Sequence, residues 1–172
     1  MKRLVLIAFL ALAFPLSAEA DGRHADPQLE SQLPKSLGGV MLAIESQSGN
    51  DLMSNSTAFD AFLASLGKAR SDFVVASAYS TGDLKAAVSS WRVKGAASDR
   101  LLPGFRSAVQ ASSAKPLGGG EELIAGKSVA RIGDPGELAQ GPIYAYVRDD
   151  TVFFVQTPDH ALAEEAIAKL PP

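Results

Sequence analysis

The spacing of apolar side chains changes period several times along this chain, and each change marks a predicted element. The clearest case lies near the C-terminus, in PIYAYVRDDTVFFVQTPDHALAEEAIAKL, residues 142–170. The first part alternates as a strand does, with Ile143, Ala145 and Val147 on one face and Tyr144 and Tyr146 on the other. A two-residue turn at Asp149-Asp150 then predicts the cross-strand pairs Val147–Val152, Tyr146–Phe153 and Ala145–Phe154. One face of this hairpin is aliphatic plus Phe154; the other carries Tyr144, Tyr146, Phe153 and Val155. A capped helix follows. A hairpin with two apolar faces has to be covered twice, by its own helix and by the rest of the chain or a ligand.

The same reading extends upstream. Residues 21–36 are polar and broken by Pro27 and Pro34, which predicts a flexible lead-in with Leu29 and Leu33 docking through one helical turn. Gly38-Gly39 introduces VMLAIES, a strand of continuous apolar character. Phe59, Phe62, Leu63 and Leu66 then recur at helical spacing, with Asn55, Ser56 or Thr57 as the cap and Gly67 as the stop. DFVVASAY and AAVSSWRVKG read as two more strands. In the second, Ala87, Ser89, Trp91 and Val93 share a face, opposite a half-wet face of Val88, Ser90, Arg92 and Lys94. Ser98 is expected to cap a helix that kinks or restarts at Pro103. Residues 122–125 and 128–132 predict a hairpin turning at Gly126-Lys127.

Seven candidate strands and three helices, with short turns between most strands, predict one α+β domain over residues 37–172. Its sheet of about six or seven strands should be largely antiparallel, since sequential hairpins are not parallel, and its helices should lie mostly on one face. Residues 72–110 and 142–170 both run strand, strand, helix. That likeness carries no residue identity and does not by itself establish a duplication.

The N-terminus has a different purpose. Lys2 and Arg3 precede an apolar run from Leu4 to Leu16, and Ala18-Glu19-Ala20 is a small-x-small cleavage site. Residues 1–20 therefore read as a signal peptide, with a mature chain beginning at Asp21 that is secreted or periplasmic. The run is shorter than the roughly 20 residues a membrane-spanning helix needs, so no stable membrane insertion is expected after cleavage. With no cysteine anywhere in the 172 residues, lipid attachment as a bacterial lipoprotein and disulfides are both excluded, and stability has to come from packing. The net charge is −3, and Lys and Arg are scattered singly, which argues against a nucleic-acid partner.

Candidate chemistry is thin. Gly126-Lys127-Ser128 lacks the upstream glycine of a phosphate loop, because Glu121 occupies that position, and a strand follows where a helix is required. Two Ser-x-x-Lys tetrads, Ser65 to Lys68 and Ser112 to Lys115, lack the helical setting and companion motifs of a serine–lysine nucleophile. Asp134, Glu137, Asp149 and Asp150 do not form a calcium loop. The histidines are His24 and His160; a zinc site would need more ligands of the right kind, and no cofactor or metal is implied.

What remains is aromatic. Trp91, Tyr144, Tyr146 and Phe153, with Arg148 at the margin, are expected on one side of the sheet, where they would bind a protein, a glycan or a small ligand. The competing reading is that this face is the second half of the core. The functional expectation is an exported, non-catalytic binding or interaction module. The alternative is a small exported hydrolase with His160 as general base.

Overall fold

A computed structural model of the protein describes residues 24–52 and 57–172. The expected signal peptide and the capping residues Asn55 and Ser56 lie outside them. The chain forms a single α+β domain. In order it builds α1 (Pro27–Glu30), β1 (Ser36–Leu37), β2 (Val40–Met41), β3 (Ala43–Ser48), α2 (Thr57–Ser65), β4 (Phe73–Tyr79), β5 (Ala87–Val93) and α3 (Ser98–Ala111). Then follow β6 (Gly119–Ile124), β7 (Lys127–Ile132), β8 (Ile143–Arg148), β9 (Thr151–Gln156) and α4 (His160–Lys169). β1 and β2 form a small hairpin; the other seven strands form one antiparallel sheet in the order β3-β4-β5-β9-β8-β7-β6. No helix among the described residues is long and apolar enough to cross a membrane.

The β8–β9 hairpin has the register its alternation predicts: Val147 faces Val152, Tyr146 faces Phe153 and Ala145 faces Phe154. Asp149 takes a positive φ of 53° in the turn, a conformation Asp tolerates better than most residues. Both faces of the hairpin are buried. Ile143, Ala145, Val152 and Phe154 join a core beneath α2 and α3 that also holds Phe59, Phe62, Phe73, Trp91 and Phe105. Tyr144, Tyr146, Phe153 and Val155 join a second core beneath α4. Two of the three substantial helices therefore share one face, and α4 covers the other.

α2 ends as Gly67 requires. Its φ of +69° lets Lys68 N–H reach the Leu63 carbonyl at 3.0 Å and Gly67 N–H reach that of Ala64 at 2.9 Å, the paired bonds of a Schellman stop. α3 differs from expectation. Ser98 is its first helical residue rather than a side-chain cap, and the helix runs through Pro103 without restarting. Packing of Leu101, Phe105, Ala108 and Val109 outweighs the one backbone bond that a proline removes. α4 is capped by Asp159, whose carboxylate accepts from Ala161 N–H at 2.9 Å.

The lead-in is not loose from residue 24 onward. Asp26 caps α1 by accepting from Leu29 N–H at 2.9 Å, and it also pairs with Arg92 of β5. Leu29, Leu33 and Leu37 are buried in the core beneath α4, so this segment is part of the domain rather than a tether. It also covers the face of β5 expected to be half-wet: Val88 and Ser90 are fully buried, Arg92 is ion-paired, and only Lys94 is exposed.

The strand–strand–helix likeness of residues 72–110 and 142–170 does not extend to three dimensions. β5 and β9 are antiparallel neighbours, and a rotation exchanging them would leave both helices on one face. α3 and α4 lie on opposite faces. The two units are not related by such a rotation.

Candidate functional site

Trp91 does not share a face with the tyrosines. In an antiparallel sheet directly opposed residues lie on the same side, and Trp91 is opposite Val152, one step out of phase with Tyr146 and Phe153. Its ring makes edge contacts with Phe73 at 5.4 Å, Phe105 at 5.2 Å and Phe154 at 5.5 Å. Trp91 is thus the centre of the α2/α3 core. The accessible aromatic face is also corrected: Tyr144, Tyr146 and Phe153 are 4%, 5% and 1% exposed. Tyr146 stacks on Phe153 at 5.4 Å and donates its hydroxyl to the Pro171 carbonyl at 2.7 Å. The cover comes from α4 together with the lead-in, which adds buried leucines that counting three helices leaves out. Only Arg148, at the hairpin tip, is open to solvent, 3.7 Å from Asp149.

Burial raises the Tyr146 hydroxyl pKa well above its ordinary value. Burial and then the Glu122 charge raise that of Tyr144, partly offset by Arg131. A raised folded-state pKa means stability is fully present below the unfolded tyrosine value, near 10.0, and is lost as pH rises above it. Melting temperature should therefore fall more steeply between about pH 10 and 11.5 in the wild type than in a Tyr144→Phe/Tyr146→Phe variant, whose rings cannot ionise. Parallel curves would show that these hydroxyls are not the linked groups.

The decoys resolve locally. Ser65 donates to the Phe62 carbonyl at 2.7 Å and Ser112 to that of Ala108 at 3.0 Å, so both tetrad serines bond their own helices. Lys127 donates to the Ile167 carbonyl at 2.8 Å, and Ser128 lies in β7. The β6–β7 turn is at Ala125-Gly126, one residue earlier than predicted. His160 does find carboxylates: Nε2 lies 3.2 Å from Glu122 and Nδ1 lies 3.6 Å from Glu164, with the ring edge-on to Tyr144. Its hydrogen-bonding partner is a carboxylate and not a serine hydroxyl, and its side chain is 53% exposed. Among the described residues no serine or threonine hydroxyl is hydrogen-bonded to it. No group of three or more metal-ligating side chains is gathered among the described residues.

One polar feature escaped the sequence reading. Glu45, Ser77 and Ser89 occupy one rung of the sheet on the α2/α3 face, and the two serine hydroxyls are 3.0 Å apart. Its signal was Glu45 directly after the apolar run of residues 40–44. Both His24 and His160 lie on the opposite face, so this row has no imidazole to activate a hydroxyl.

The remaining candidate is the edge of the sheet. The two edges differ. β3 is partly capped by the lead-in: His24 bridges Ser46, Ala25 N–H donates to the Ser46 carbonyl at 3.3 Å, and Asp26 N–H to its hydroxyl at 2.7 Å. β6 has a neighbour on one side alone among the described residues. Its two-residue turn makes Ile124 and Lys127 a hydrogen-bonded pair. At the other end Gly133 N–H donates to the Gly118 carbonyl at 2.9 Å, so the even-numbered residues bond inward. Gly119, Glu121 and Leu123 therefore turn their N–H and C=O groups outward. Leu123 is 79% exposed, the most exposed of the large apolar residues described.

The flanks of this edge are braced. One Glu137 carboxylate oxygen accepts from Gly118 N–H and Asp134 N–H, each at 2.7 Å, tying the loop before β6 to the loop after β7. Arg131 holds Asp134 at 2.5 Å and Glu122 at 2.7 Å and also donates to the Gly133 carbonyl. These bonds, Asp134 first, raise the guanidinium pKa further, so Arg131 stays charged. Fold and site together define a single α+β domain with one sheet edge partly capped and the other without a strand partner among the described residues. No known family model, curated protein or solved structure matches the chain.

Proposed function

We propose that this chain is an exported, non-catalytic interaction module that receives an extended segment of a protein partner along β6. The observation that carries this reading is the asymmetry of the two edges. Unpaired strand edges are sticky, and chains usually blunt them; here the lead-in blunts β3, while β6 keeps outward amides beside an exposed leucine. Strand addition uses such groups for affinity and alternate side chains for selectivity. A glycan or flat ligand would want an open aromatic platform, and Tyr144, Tyr146, Phe153 and Trp91 are all in the core.

Leu123→Pro is the direct test. It removes an outward N–H that makes no ladder bond, which an edge strand tolerates. The variant should keep the wild-type circular dichroism spectrum and lose at least about tenfold in capture of the native partner from the exported fraction, since truncating a central contact typically costs over about 1.4 kcal/mol. Undiminished capture by a folded variant would exclude β6 as the binding edge. Export rests on residues 1–20. Mass spectrometry of the exported protein should find a chain beginning at Asp21, and retention of Met1 would show an uncleaved anchor instead.

A further inference from the structure

The side chains of β6 narrow the partner further, and this step rests on the edge reading above. Glu121 and Leu123 are two residues apart and project from the same side of the strand, the side on which α2 and α3 lie, because Glu121 shares its rung with Ala130, Ala145 and Phe154. The neighbouring acids are already engaged: Glu122 and Asp134 by Arg131, and Glu137 by two backbone amides. Glu121 is exposed and makes no ion pair or hydrogen bond among the described residues. The open edge thus presents one uncommitted negative charge and one uncovered leucine at strand spacing.

A second copy of the chain fits this edge poorly. Antiparallel self-pairing matches outward-bonding residues with each other, so a two-fold axis must pass beside one residue. The two registers of greatest overlap each pair five of the six residues of β6, and they centre on Glu121 or on Glu122. Each sets a carboxylate directly against its own copy, and like charges directly opposed are destabilising. Registers centred elsewhere leave about half the strand unpaired.

We infer that β6 selects an extended protein segment carrying a basic and an apolar side chain two residues apart on one face, the basic group against Glu121 and the apolar group over Leu123. The opposite-charge pair adds to the main-chain bonds, and it discourages self-association at the same surface.

The probe is a capped octapeptide, Thr-Lys-Thr-Val repeated twice, titrated into the ¹⁵N-labelled chain at low salt beside a Thr-Glu-Thr-Val counterpart. The lysine peptide should shift the amide resonances of Gly119, Glu121 and Leu123 and bind about five to ten times more tightly, the factor expected when a cross-strand pair changes from like to opposite charge. Glu121→Lys, at an exposed position, should reverse that order. Equal binding of the two peptides, tighter binding of the glutamate peptide, no binding of either, or shifts away from β6 would each overturn the inference. So would a concentration-dependent dimer in sedimentation that Glu121→Lys abolishes. Leu123→Pro separates the two levels. If it removes peptide binding that shows no charge preference, the edge stands and the basic partner falls; if peptide binding survives it, both fall.

Discussion

Trp91→Ala should destabilise the protein by about 3–5 kcal/mol in urea or guanidinium melts, the range for removing a large aromatic side chain from a packed core. The expectation rests on position. Trp91 is 3% exposed and stands on β5, next to the central strand of the sheet, where the two halves of the chain meet as β5 pairs with β9. Its ring touches Phe59 and Phe62 from α2, Phe105 from α3, Phe73 from β4 and Phe154 from β9. Those contacts come from four different elements, so the cavity left by alanine cannot be closed by moving one of them. Phe154→Ala, beside it, falls in the same class. A loss below about 1 kcal/mol at Trp91 would mean that the ring is dispensable to the core, and would return it to consideration as a binding residue.

Gly141→Ala should cost about 3 kcal/mol or more, unusual for the addition of one methyl group. Gly141 ends the loop before β8 with a φ of +89°, a region that penalises a side chain by roughly 1–2 kcal/mol. A Cβ there would lie 2.3 Å from the Pro158 nitrogen and 2.5 Å from the Thr157 carbonyl oxygen. These are backbone atoms of the link between β9 and α4, so they cannot rotate away as a side-chain end would, and forced overpacking adds about 1–3 kcal/mol. The shift would also disturb the Gln156 amide, which donates to the Gly141 carbonyl at 3.1 Å, and the cap of α4 just beyond. Chemical denaturation of the variant measures this directly, and a change within about 0.5 kcal/mol would show that the link has slack.

Both effects arise at the meeting of distant segments, and the same division separates what could be read from the chain alone. Local periodicity determined most of the elements. The alternation of residues 143–155 specified the β8–β9 register and the side chains on each face, since a strand slipped by one residue would turn its whole apolar set the other way. The stripe of Phe59, Phe62 and Leu63 with Gly67 behind it determined α2 and its stop. The α+β class followed from short turns between successive strands.

The tertiary structure decided which strand stands beside which, and with it the candidate site. Nothing local to β5 says that its neighbour is β9 rather than β6, yet that pairing puts Trp91 in phase with Val152 and hence on the face away from Tyr146. The spacing of Leu29 and Leu33 predicted one docked turn, but only the structure shows that with Leu37 they lie beneath α4 and cover the second face, and that the residues just before them partly cap β3. Sheet order places β6 last among the described strands, and its outward amides follow from the bonds made by β7. Backbone groups are the same in every residue, so a sequence does not mark those that remain unpaired; that is settled only when the strands have found their neighbours.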